Sequence, residues 1–107
     1  AALPGLQLRG LQAEPKGPGQ LRYQLVLVQN GKNAAEFKGQ YDLLLQGLLD
    51  GKPWSQPLPG GPQSLLIRQV TRVEGMIDHP AGAVIKTVQV RVLDAQGATK
   101  ATQTLRL

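Results

Sequence analysis

The sequence predicts an all-β protein: a single antiparallel β-sandwich over residues 1–107, immunoglobulin-like, of about seven or eight strands. A small open β-barrel is the alternative that the same pattern allows. Three observations carry the prediction. Apolar residues recur with period two in several short runs, the spacing that sends one set of side chains to a buried face and the other to water. Turn signals separate those runs at short intervals. The 13 glycines and 8 prolines make about a fifth of the 107 residues, which is high for a helical protein yet below the range of low-complexity chains.

The elements follow in order. Leu6 and Leu8 alternate with Gln7 and Arg9, giving a strand near 5–14. The cluster Pro15-Lys16-Gly17-Pro18-Gly19 ends it. Tyr23, Leu25 and Leu27 alternate with Arg22, Gln24 and Val26 in a strand over 21–29, which runs into the hairpin signal Asn30-Gly31. The leucine-rich stretch 39–48 reads as a strand rather than a helix, because Gly39, Gly47 and Gly51 each cost a helix about 1 kcal/mol in its interior. Asp50-Gly51 is a second two-residue hairpin signal, leading into 52–58. Pro53 and Pro57 cannot donate ladder hydrogen bonds, so the segment around Trp54 is an edge strand or a loop. After the breaker Gly60-Gly61-Pro62, strands are expected over 64–72 and 73–78. His79-Pro80-Ala81-Gly82 breaks the chain again before a strand over 84–93, in which Val88, Val90 and Val92 alternate with Gln89 and Arg91. Asp94-Ala95-Gln96-Gly97 forms a short hairpin loop, and 100–107 closes the sheet.

The composition argues against several chemistries. No cysteine is present, which excludes disulfides, thiol nucleophiles and thiolate metal sites. His79 is the only histidine, so no multi-histidine metal site can form, and its neighbour Asp78 is expected to point to the opposite side of an extended chain. Asp50 and Asp94 take turn positions and Glu74 reads as a strand-surface charge. The glycine-rich turns lack the helix and Lys-Ser/Thr of a phosphate loop. The expectation is therefore a non-enzyme without a cofactor or metal.

The net charge of +5 raises the question of nucleic acid. The twelve basic residues are scattered, but Arg68 and Arg72 share parity around Val70 if 64–72 is one strand, with Arg22 or Arg91 as possible neighbours. That stripe is the basis of a reading as a weak nucleic-acid binder. A different reading centres on Trp54, the only tryptophan, flanked by Lys52 and Gln56: an exposed indole there would serve as a carbohydrate or peptidoglycan platform, or as a protein hot spot. The alternative role for Trp54 is to cover one end of the core. Glutamines Gln7, Gln24, Gln46, Gln89 and Gln103 fall on the expected outward faces. Such neutral, hydrogen-bonding surfaces do little to discourage pairing with a partner strand.

The order Arg22-Tyr23-Gln24-Leu25-Val26-Leu27-Val28-Gln29-Asn30-Gly31, Phe37-Lys38-Gly39, Leu45-Gln46-Gly47, Asp50-Gly51, Gln69-Val70-Thr71-Arg72-Val73-Glu74-Gly75, a turn at Pro80, and Val88-Gln89-Val90-Arg91-Val92 resembles the carboxy-terminal domain of a group of uncharacterised bacterial envelope proteins. The resemblance covers roughly residues 20–93. It implies an amino-terminal membrane anchor and a coiled-coil stalk ahead of the β-domain, placing that domain on the periplasmic side of the inner membrane. It also implies a protein partner in the envelope, self-association through the coiled coil, and no catalytic residues. The start at Ala1-Ala2-Leu3, without methionine, fits the expectation of a carboxy-terminal piece of a longer chain.

Overall fold

The computed structural model describes residues 6–29 and 35–107. The signal Asn30-Gly31 lies outside the described residues. Among the described residues eight strands follow one another: β1 (Leu6–Pro15), β2 (Gln20–Gln29), β3 (Phe37–Leu49), β4 (Lys52–Pro57), β5 (Gln63–Ile67), β6 (Val70–Asp78), β7 (Ala83–Asp94) and β8 (Thr99–Arg106). Among the described residues there is no helix, so none long and apolar enough to cross a membrane.

All pairings are antiparallel and form two sheets. The first has the order β1-β2-β6, and the second β4-β3-β7-β8, with β5 also pairing with β3. The two strands β4 and β5 share one side of β3: β4 runs along Leu44–Leu49 and β5 along Phe37–Tyr41. Among the described residues neither sheet closes on itself, and the two pack as a sandwich and not a barrel. The second and sixth strands pair in one sheet and the third and seventh in the other, the crossing-over expected of an immunoglobulin-like sandwich.

The alternation seen in the sequence builds the core. Leu21, Leu25 and Leu27 from β2, Leu43 and Leu45 from β3, Ile67 and Ile77 from β5 and β6, and Val88, Val90 and Val92 from β7 are fully buried. Each such side chain stabilises the fold by about 1.5–3 kcal/mol on burial. Leu43 and Leu45 face inward while Leu44 and Leu48 face outward, which is strand periodicity and settles the leucine-rich stretch as β3. Asp50 and Gly51 both take positive φ, 53° and 77°, the backbone of a type I′ turn whose twist matches the strands it joins.

Tyrosines join the two sheets. Tyr23 of β2 and Tyr41 of β3 are each about 5% exposed, and their hydroxyls lie 2.9 Å apart. Their rings are tilted by 60° with centroids 6.3 Å apart, within the range of favourable aromatic pairs. Tyr23 stands opposite Gly75 of β6, and a Cβ at Gly75 would sit within 2.4–2.7 Å of the phenol. The glycine is thus the floor on which the Tyr23 ring lies.

Two sequence expectations are corrected. The run 64–72 is not one strand. β5 pairs with β3 in the second sheet and β6 with β2 in the first, so the chain must cross between sheets at Arg68–Gln69. Gln29 holds the crossing: its backbone N–H donates to Gln69 O at 2.8 Å, and its side-chain amide donates to Ile67 O and Arg68 O at 3.2 and 3.1 Å. Gln103 does not face outward. It stands opposite Val90, between Ala101 and Leu105, which pack against the core.

Candidate functional site

The residues singled out in the sequence fall in three places. Trp54 and Gln56 lie on edge strand β4 at one end of the sandwich. Trp54 is half-buried and packs against the core, and its ring meets the His79 ring at 6.3 Å and 59°. Gln56 donates from Nε2 to the backbone O of Asp78 at 2.9 Å, and Gln20 Nε2 donates to Asp78 Oδ1 at 3.3 Å. This end is a clasp between the two sheets, with Trp54 as its apolar element.

Arg68 lies in the crossing between β5 and β6, and Arg72 on the outer face of β6. Different elements carry them, so the expected shared parity does not arise. Acids accompany three of the six arginines. Arg68 Nε is 2.9 Å from Glu36, Arg22 is 3.3 Å from Glu74, and Arg91 is 3.4 Å from Asp42. Such exposed pairs contribute little to stability, but they break the positive field into dipoles instead of the continuous stripe that phosphates require.

The carboxylates are committed to structure in the same way. Asp94 Oδ1 accepts from the N–H groups of Gln96 and Ala98, both at 2.9 Å, and Lys100 lies 3.6 Å from its other oxygen. The Ala98 N–H above all, with Gln96 and Lys100 adding to it, holds the Asp94 carboxyl below the usual carboxylate range against the opposing effect of burial. Burial first, and then the bond to Tyr41, push the Tyr23 phenol well above the usual tyrosine range. Asp42 turns one oxygen towards Arg91 and buries the other without a partner. Among the described residues no group of His, Asp and Glu gathers to hold a metal ion.

An open feature of the fold is the free edge of β6, which sequence reasoning did not single out. Hydrogen bonds from Gln29 N to Gln69 O and from His79 N to Gly19 O fix the pattern along the β2–β6 ladder. Odd-numbered residues of β6 therefore turn their backbone groups to β2, and the even-numbered ones turn theirs away. Asp78 O, taken by Gln56, has the direction this predicts. Between the crossing at Gln69 and that clasp, Val70, Arg72, Glu74 and Met76 present backbone N–H and C=O groups to the outside. The same four side chains stand on the exposed outer face, with Val70 67% and Met76 50% exposed.

The other edges differ. In the β3–β4 ladder, Leu58 N donates to Leu43 O, which places Pro53 and Pro57 at positions whose missing N–H would have pointed outward. A proline there removes the donor a docking strand needs. β1 carries a bulge between Leu8 and Gly10 and ends at Pro15. β8 packs alongside β1 and carries the exposed Lys100 and Arg106.

Comparison of the chain with protein-family models, with curated proteins and with solved structures returns no match.

Proposed function

We propose that the chain is a non-catalytic protein–protein interaction module that takes up an extended strand of a partner along β6. The observation that carries this reading is the continuous row of outward backbone groups from Val70 to Met76, flanked by exposed apolar side chains, while β4 is proline-capped, β1 is bulged and β8 packs alongside β1. Strand addition draws its affinity from main-chain hydrogen bonds and its selectivity from the alternate side chains. An envelope setting, on the periplasmic side of an inner membrane, rests on the family resemblance in the sequence.

Photocrosslinking in cells that produce the chain tests it. A photoreactive phenylalanine analogue at position 70 or 76 is expected to give discrete protein adducts, and one at position 52 on β4 none. Arg72→Pro removes one outward N–H without touching the β2 ladder, so it should abolish the adducts while circular dichroism stays unchanged. No adduct from β6, or adducts that survive Arg72→Pro in a folded chain, would overturn the reading.

A further inference from the structure

We infer that the strand taken up along β6 is the β6 of a second copy, making an antiparallel two-fold pair centred on Val73. The inference rests on the interaction reading above and names its partner. The open stretch runs from Val70 to Met76, and its midpoint is Val73. The side chains along it are self-complementary about that midpoint. With Val73 opposite the second copy's Val73, Arg72 stands opposite Glu74, Glu74 opposite Arg72, and Val70 opposite Met76.

The backbone agrees with that register. Val73 turns its own N–H and C=O to β2, so at the axis the two copies meet as a non-hydrogen-bonded pair. The even-numbered residues on either side then face one another, and each such pair exchanges both of its backbone bonds. A slip of one residue would oppose groups that point in the wrong direction and would turn the apolar set to the wrong face. A slip of two residues one way puts Arg72 against Arg72, and the other way Glu74 against Glu74. Like charges directly opposite one another oppose pairing. Charge therefore selects the register that also joins Val70 to Met76, two of the most exposed large apolar side chains among the described residues. Glu74 already lies 3.3 Å from Arg22 of its own chain, so in the pair it sits between two guanidinium groups. The product is one continuous sheet in the order β1-β2-β6-β6-β2-β1.

Sedimentation equilibrium on the 107-residue chain, with two charge variants, decides the matter. The unaltered chain is expected to form dimers at sub-millimolar concentration. Arg72→Glu alone and Glu74→Arg alone each place like charges opposite one another twice, and should weaken self-association by about tenfold or more. An equimolar mixture of the two variants sets the two acidic side chains of one copy against the two basic side chains of the other, at both positions of the register. It should restore dimers that neither variant forms alone. Thermal melts of each variant separate this from loss of fold. A monomeric unaltered chain, variants that dimerise as it does, or a mixture that fails to recover would overturn the inference. If adducts at 70 and 76 join the chain to a different protein while the chain stays monomeric, self-pairing falls and the interaction reading stands.

Discussion

Removing one hydroxyl of the tyrosine pair should cost more than removing both. Tyr23 and Tyr41 are each about 5% exposed and their oxygens are 2.9 Å apart, so each hydroxyl is the other's partner across the sheets. Tyr41→Phe leaves the Tyr23 hydroxyl buried beside Gly75 with its partner gone. An unsatisfied buried hydroxyl costs about 1–3 kcal/mol, whereas replacing both partners by apolar groups of the same shape is nearly neutral. Each single variant should therefore lose about 1–3 kcal/mol and the double variant less than either, so that the coupling exceeds the cost of one single variant. Urea unfolding of the four proteins measures it. The pair also sets an alkaline limit. The folded Tyr23 phenol titrates above its unfolded value, so its contribution is complete below the ordinary tyrosine pKa of about 10 and is lost as pH rises through the higher folded value. The Tyr23→Phe/Tyr41→Phe double variant should lack that part of the alkaline fall. Additive single variants would refute the claim that the two hydroxyls bond to each other.

Two further predictions concern positions outside the pair. Gly75→Ala places a methyl group within 2.4–2.7 Å of the Tyr23 phenol and should cost about 1–3 kcal/mol, read as a lowered thermal midpoint; Tyr23→Phe should leave most of that cost, because ring atoms as well as the hydroxyl crowd the site. Asp94→Asn should destabilise the chain at neutral pH. The folded Asp94 pKa is depressed, so its contribution is present above the unfolded value and is lost as pH falls through the folded one, and the gap between the two proteins should close in acid.

Period-two alternation and turn residues place the strands well, because both are local. The expected strand over 84–93 becomes β7 at Ala83–Asp94, and Asp50-Gly51 turns as its residue types require. The run 64–72 shows where local pattern stops. Alternation lapses at Arg68-Gln69, two polar residues in succession between Ile67 and Val70, but the lapse alone does not say that the partner strand changes from β3 to β2 there. That change separates Arg68 from Arg72. Gln103 fails for a related reason: a polar residue at the sheet margin tolerates the inward parity because it is only partly covered. The β6 edge is hidden from sequence reasoning because openness is a property of topology. The sequence Val70–Asp78 reads the same whether a strand has one neighbour or two.

The two prolines of β4 have a consequence for growth. A sheet that can add a neighbour at both margins propagates without end, as fibrils do. Here Pro53 and Pro57 face the free side of β4 and withhold the donors that the next strand would need. The prolines guard the sheet built on β3 and β7, whereas the sheet of β6 ends on its other side at β1, where a bulge between Leu8 and Gly10 and the stop at Pro15 interrupt the ladder. A copy that meets its like through β6 about a two-fold axis consumes that margin in the act of pairing. Pairing of this kind closes at two, because an isologous contact uses the same edge of both copies.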